Sequence, residues 1–435
     1  MAVDKFLKRV VYVAAAGSAG FTGQAFAQAL SRPIPVLPSD YPSERSSVAE
    51  RYRPEYQSAG VPVGSYTLLP ELGVGLGYID NVFGAESNKA SDFYAAINPS
   101  VTLTRQGGAA TGATITATAA ANLRRFFDEK AANETGYRGM LDGAVPLGNA
   151  LTINGGGGYE RAYQRQDSGA FLTTARSPIR VDNLTGYLRA RMGGSRIRTT
   201  VGVDVRDEAY GDARLTDGSR IDQGYRDLTT LRGVARVETS FTGALSGFVE
   251  GRYSDLNYNR QFIAPGLANR DGKQAEGYLG LRVDAGKLRG IVSGGYTRRT
   301  FDANVYRNFG GLAIDGELTY FASGLTTYTL TAFRNISETG DAGVTALFGT
   351  GGRLRVDHEL LRYIILSGRV GYDSYSYRGI NRSDKIATVG GGVRYLANRR
   401  FEINADADYT KRTSNNAFGT EFNRFQVLVS LVARL

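Results

Sequence analysis

From Tyr66 to the C-terminus, apolar and polar residues alternate with a period of two. In residues 400–410, Phe401, Ile403, Ala405, Ala407 and Tyr409 alternate with Glu402, Asn404, Asp406, Asp408 and Thr410. Residues 196–206 repeat the scheme. Ile197, Thr199, Val201, Val203 and Val205 face one way, and Arg196, Arg198, Thr200, Asp204 and Arg206 face the other. Residues 184–192 do the same, with Leu184, Leu188, Ala190 and Met192 set against Thr185, Tyr187, Arg189 and Arg191. A helix would scatter these charges around its circumference, whereas a strand sorts them onto two faces.

The pattern predicts about 18 strands, with 16 as the alternative if one hairpin is over-split. Their approximate ranges are 66–78, 92–105, 113–126, 136–147, 150–164, 181–192, 196–209, 223–240, 244–259, 274–284, 288–301, 310–322, 326–336, 343–357, 362–376, 384–396, 400–412 and 421–435. A soluble β-sandwich also alternates, but its strands are usually about five or six residues long. Here they are about twice that, and the polar face carries many full charges. Short connections such as Gly193-Gly194-Ser195, Leu147-Gly148-Asn149 and Thr242-Gly243-Ala244 take turns with long ones at 79–91, 166–179, 211–222, 261–273 and 413–420. That asymmetry belongs to transmembrane up-and-down β-barrels, with short periplasmic turns and longer outer loops. An even strand count puts both ends of the barrel on the periplasmic side.

The N-terminus changes the picture twice. Lys5, Lys8 and Arg9 precede a small, apolar run from Val10 to Phe26, with small–x–small sites around Ala27, so residues 1–29 are expected to be a cleaved secretory signal. Cleavage removes three cations and Asp4, taking the net charge from +10 to near +8. Residues 30–65 hold six of the eleven prolines and no periodicity, and are expected to be an extended periplasmic segment ahead of a barrel over 66–435. After the signal no apolar run reaches the roughly 18 residues of a membrane helix. A closed barrel is then the remaining way to pair every backbone group within lipid. There is no cysteine, which removes disulfides, thiolate metal sites and cysteine nucleophiles together.

Strand parity sorts a charged interior. The basic positions predicted to face inward are Arg189, Arg191, Arg196, Arg198, Arg206, Arg232 and Arg236, followed around the wall by Arg252, Arg282, Arg289, Arg299, Arg369 and Arg394. The acids are Asp204, Glu208, Glu238, Glu250, Asp284, Asp373, Glu402, Asp406 and Asp408. Two readings remain open here. Facing charges could neutralise one another as a structural network, or the Arg excess on 181–209 and 223–240 could form a strip that attracts anions, since guanidinium matches phosphate, sulfate and carboxylate. Outward Tyr253, Tyr296, Tyr372, Tyr395 and Tyr409 are expected at the lipid–water boundary.

Catalysis has little to stand on. The only histidine, His358, is expected in a short periplasmic turn with Glu359, Leu360 and Leu361, away from any rim serine. Neither a cofactor nor a metal is expected: calcium could bind an acidic outer loop such as that of Asp212 and Asp217, but surface loops are acidic for solubility too. The runs Gly155-Gly156-Gly157-Gly158 and Gly390-Gly391-Gly392 lack the Lys-Ser/Thr and helix of a phosphate loop and are expected to be flexible or bulged strand.

Two stretches carry a family resemblance. RYRPEYQSAGVPVGS at 51–65 and GLGYIDNVF at 75–83 resemble the opening of the putative β-barrel porin 2 family. Pro54, Glu55, Tyr56, Gly60 and Gly64 match its first segment, and Tyr78, Asp80, Asn81, Val82 and Phe83 match the end of its first strand. The last strand ends in Leu435 where such barrels commonly end in Phe. The resemblance implies the outer membrane of a Gram-negative bacterium, with lipopolysaccharide, outer-membrane lipids and the barrel-assembly machinery as partners. It further implies a role in moving or assembling exopolysaccharide, either as a channel or as a component that docks periplasmic export partners. No nucleic-acid partner and no catalytic residues are implied.

Overall fold

The structure, a computed structural model, describes residues 46–105, 112–148, 150–172, 174–194, 196–215, 217–416 and 419–435. The expected signal and the start of the proline-rich segment lie outside these residues.

Eighteen long antiparallel strands form one closed sheet. They are β1 (Tyr66–Ile79), β2 (Asp92–Arg105), β3 (Thr114–Phe126), β4 (Glu134–Leu147), β5 (Leu151–Gln164) and β6 (Ile179–Gly193). β7 (Ile197–Tyr210), β8 (Leu228–Thr242), β9 (Leu245–Tyr258), β10 (Gly272–Ala285), β11 (Leu288–Phe301) and β12 (Phe309–Phe321) follow. The wall ends with β13 (Thr326–Ser337), β14 (Ala346–Leu361), β15 (Ile364–Arg378), β16 (Arg382–Leu396), β17 (Phe401–Ser414) and β18 (Phe422–Arg434). Each strand pairs with its chain neighbours, and β18 pairs with β1 from Glu71↔Arg434 to Ile79↔Gln426, so no edge is left along that length. A short ribbon, Val61–Val63, pairs with the start of β1 below that seam.

Burial is inverted relative to a water-soluble protein. Leu279, Leu312, Leu76 and Val249 are more than half exposed, while Asp204, Glu250, Arg299 and Arg412 are almost fully buried. Alternation alone causes this, because every second side chain meets lipid and the rest meet the lumen. The five predicted tyrosines all point outward and are 40–56% exposed. They divide between two levels. Tyr253, Tyr296, Tyr372 and Tyr409 lie toward the long-loop ends of their strands, whereas Tyr395 lies at the short-turn end, where its ring meets Tyr363 edge-on at 5.9 Å. On β17, Phe401 and Tyr409 mark both levels, about 20 Å apart along the normal for strands tilted by about 40°.

Four expectations need correction. Residues 223–227 are not strand: Gly224–Arg226 form a 3-10 turn before β8. Arg196 does not line the wall, because the strand starts at Ile197 and Arg196 is exposed in the turn. Glu359, Leu360 and Leu361 extend β14 instead of forming the turn, and His358 pairs with Leu366 there, its Nδ1 2.9 Å from Thr326 Oγ1. The glycine runs are regular ladder without a register shift. Glycine is needed at Gly158 because a Cβ would sit 2.2 Å from Gly139 O, and at Gly390 because it would sit 2.1 Å from an Asp408 carboxylate oxygen. Both glycines permit a close approach within a regular ladder, to neighbouring backbone at Gly158 and to a carboxylate at Gly390.

Candidate functional site: a lumen narrowed from both ends

The predicted basic strip lies on the inner face of β6–β9. Most of its charges are met by acids on the same or neighbouring strands. Asp204 accepts Arg189 Nη2 at 2.8 Å and Arg232 Nη2 at 2.8 Å. Glu250 accepts Arg236 Nε at 2.6 Å and Arg252 Nε at 2.5 Å. Glu238 draws in Arg282 at 3.0 Å and Arg198 at 3.8 Å, and Arg206 pairs with Glu208 at 3.0 Å. Arg191 shares this inner face and is half-buried. Rings complete the packing: Arg236 stacks on Phe248 at 4.1 Å and Arg252 on Tyr278 at 4.5 Å. A carboxylate held between two guanidiniums leaves a small positive excess spread over rigid groups.

The other sectors of the wall differ. Arg369 reaches both Asp408 (2.7 Å) and Asp406 (3.1 Å), and Arg353 pairs with Asp373 at 2.6 Å. Arg434 joins Glu71 (2.9 Å) and Glu402 (2.8 Å), which pins the closing seam. Arg289 reaches Glu50 and Arg394 reaches the Ala49 carbonyl, both in the N-terminal segment. On β2 and β3 the lining is small and polar, with Asn98–Asn122 at 2.6 Å and Thr102–Thr118 at 3.3 Å. Inward charges stay in water at mid-height: Glu317 is exposed, and the side chains of Arg355 and Asp315 are 47% and 43% exposed. The lumen therefore holds an aqueous chamber.

At the long-loop end, residues 165–172 and 174–178 fold into the lumen. Gly169 O accepts the Tyr377 hydroxyl at 2.7 Å, and Ser168 O accepts Arg412 Nη1 at 3.2 Å. Tyr377 and Arg412 belong to β15 and β17, nearly opposite β5 and β6 around eighteen strands, so the loop crosses the bore. Arg165 anchors its start through two bonds to Glu134, at 2.8 and 2.5 Å. Burial alone would lower the Arg165 pKa, but the Glu134 carboxylate outweighs that and raises it. Phe171 (2% exposed), Leu172 and Ala175 form a small apolar core with Ile179 and Ala213. Two more loops lock onto it. Gly340 N donates to Ala170 O at 3.0 Å, and Tyr225 donates to Gly340 O at 2.5 Å. Arg270, fully buried, donates to Val344 O at 2.8 Å.

At the short-turn end, residues 46–60 form a strap against the mouth from β11 to β18. Val48 is fully buried with Ile365, Leu396 and Tyr56. Arg53 (1% exposed) donates to Glu359 at 2.7 Å and to Val48 O at 3.0 Å. Burial lowers the Arg53 pKa, and the bond to Glu359 only partly offsets it. Arg51 shares the same carboxylate at 3.1 Å, and Arg399 holds Pro54 O at 2.8 Å. The residues of the family resemblance fall on these contacts. Tyr56 packs in the strap core, Glu55 faces Arg362 at 3.5 Å, and Gly60 turns at φ +76°. Asn81 is fully buried and ties its own loop to β18 through the Ala85 and Asn423 carbonyls.

Sequence reasoning missed both obstructions. Residues 166–179 read as an outer loop, and the only hint was the apolar pair Phe171-Leu172 in a polar segment. The strap was hinted at by Val48 and Tyr56, but nothing local says where they dock.

Solved structures with a similar course are outer-membrane barrels. The chain is similar to OpdK of Pseudomonas aeruginosa, at 10% identity over 85% of this chain and 99% of that one, with a TM-score of 0.45. It is also similar to OccK2 (OpdF) of Pseudomonas aeruginosa (12% identity, 85% and 98% covered, TM-score 0.48) and to the copper transporter OprC (11% identity, 86% and 82% covered, TM-score 0.46). No curated protein sequence matches. The family model described as "Putative beta-barrel porin 2" matches residues 53–435, from the strap's buried arginine to the last residue. The chain belongs to this family of porin-like barrels, in the outer membrane of a Gram-negative bacterium.

Proposed function

We propose that the barrel is a channel for small hydrophilic solutes, narrowed by its own loops. The observation that carries this reading is the water-exposed chamber of Glu317, Asp315 and Arg355 between the crossing loop and the strap. An 18-strand barrel is wide enough for an aqueous path, and a loop across the bore sets a size limit. Purified barrel in planar bilayers is expected to give discrete single-channel currents, and a preparation with none overturns the reading. Liposome swelling then sets the size: monosaccharides pass and long oligosaccharides do not. Swelling by long oligosaccharides instead favours surface polysaccharide as cargo, with residues 165–178 and 338–345 leaving the bore.

The paired wall makes a second expectation. Asp204→Asn leaves the Arg189 and Arg232 guanidiniums without their carboxylate. Reversal potentials in a salt gradient are expected to shift toward anion preference. Stability falls by about 3 kcal/mol, as for a buried pair broken on one side. An unchanged reversal potential would show that these charges do not face the ion path.

A second reading rests on the strap. The chain before Ser46 enters the strap at the periplasmic mouth, where a periplasmic export partner could grip it. In that case deletion of residues 30–60 abolishes surface polysaccharide while leaving single-channel conductance unchanged. If the deletion raises conductance and spares polysaccharide, the strap belongs to the channel alone.

A further inference from the structure

We propose that the outer face of β13–β17, at the long-loop end, is a binding site for the phosphorylated headgroup of the outer-leaflet glycolipid, the lipid A portion of lipopolysaccharide. Nearly every arginine of the lumen meets a carboxylate. On this face the cations do not. Arg334, Arg378, Lys385 and Lys411 have no acidic partner among the described residues: Asp373 and Asp384 on the same strands point inward to Arg353 and Arg382, and Glu421 accepts from Ser414 N.

The site is built. Arg334 and Arg378 stack on one buried ring, Phe348, with guanidinium carbons 4.9 and 5.3 Å from its centroid. Phe348 is 2% exposed, so both cations rest on a fixed support. Arg334 is further aimed by bonds to Leu312 O (3.1 Å) and Thr350 Oγ1 (2.6 Å). Arg334, Thr350, Ser374, Lys385 and Thr413 are direct cross-strand neighbours, so cations and hydroxyls make one outward row over five strands.

Height selects the partner. Tyr372 lies two residues below Ser374, and Tyr409 two residues below Lys411, both outward. Tyrosines of this kind mark the lipid–water boundary, so the row falls at headgroup level. There two arginines and two lysines suit a dense, multiply charged phosphate ligand. Other outward cations on the rim are paired with acids or stand singly: Arg161 and Arg180 share Asp182, and Arg298 faces Ala275 and Gly310 across the ladder, without a second cation beside it in register.

The test uses the full barrel in neutral detergent, titrated with bisphosphoryl lipid A and read by native mass spectrometry. Arg378→Gln, Lys385→Gln and Lys411→Gln are combined, leaving Arg334 and its structural bonds in place, and unboiled gel mobility confirms the fold. Each lost cation is worth roughly fivefold at an anionic surface, so the triple variant is expected to bind about a hundredfold more weakly. Monophosphoryl lipid A binds the native barrel less tightly than the bisphosphoryl form. Equal binding by native and triple-variant protein overturns the proposal. So does phosphatidylglycerol binding as tightly as lipid A, which marks a generic anionic-lipid surface, and so does displacement of lipid A by inorganic phosphate, which marks a free-anion site.

Discussion

Replacing residues 167–176 with a short glycine-serine linker raises single-channel conductance severalfold. The loop crosses from β5–β6 to β15–β17, and its backbone carbonyls at Ser168, Gly169 and Ala170 serve as acceptors for Arg412, Tyr377 and Arg226. Removing it takes an obstruction out of the bore and leaves the 18-strand ladder intact. The cost is local. Tyr377 keeps Asp384 at 3.0 Å, and Arg412 keeps Asp384 at 2.5 Å, so neither becomes an isolated buried donor. Stability should fall by about 1–3 kcal/mol for acceptors lost, with the folded, heat-modifiable band retained on gels. The loops at 222–227 and 338–345 lose a partner and become protease-sensitive. A folded variant with native conductance would place the limiting constriction elsewhere and return the loop to a structural role.

Much of the wall was legible in the sequence, because lipid imposes a strict rule on every second residue. Asp204 and Val203 could be assigned to opposite faces from their order alone. What alternation cannot give is the angle around the barrel. Arg165 meets Glu134, 31 residues away, and Arg369 meets Asp408 across two strands, 39 residues away. Parity put Arg369 and Asp408 on the inner face and said nothing of Arg165 and Glu134, which lie beyond the expected strand ends; pairing depends on register and on which glycines let long side chains lie flat. Gly390 beside Arg369 and Asp408 is such a case, since a Cβ there would collide with both. Arg196 shows the limit at strand ends: its parity is right, but the hairpin turns before it reaches the wall. The loops were least legible. A segment with only Phe171 and Leu172 to bury can cover itself in solvent or dock inside the bore. The choice is made by groups such as Tyr377 and Arg412, more than two hundred residues away.

Glu359→Gln frees the strap and exposes the Arg51–Tyr52 bond to trypsin. In the native barrel Glu359 is the common acceptor for Arg51 and Arg53, and Arg53 is 1% exposed. The amide keeps the size of the side chain but removes the charge, so Arg53 would remain buried beside a neutral group. Breaking such a pair on one side costs about 3–5 kcal/mol, and burial already disfavours the charged form of Arg53. The remaining anchors are weaker. Val48 N bonds Thr327 at 3.2 Å, and the Glu55–Arg362 and Glu50–Arg289 pairs are at the surface. The open state of the strap should therefore become about two to three and a half orders of magnitude more populated. Cleavage that follows that population accelerates to the same extent. Trypsin is expected to cut after Arg51 and not after Arg53, which precedes Pro54. Arg53→Met should loosen the strap less than Glu359→Gln, because Glu359 keeps Arg51 at 3.1 Å and Arg362 at 3.8 Å and no cation is left buried alone. The barrel below is unaffected in either variant, as shown by unboiled gel mobility. Equal cleavage rates in native and Glu359→Gln protein would mean that the apolar contacts of Val48 and Tyr56 hold the strap alone, and that the buried pair sets its position without supplying its grip.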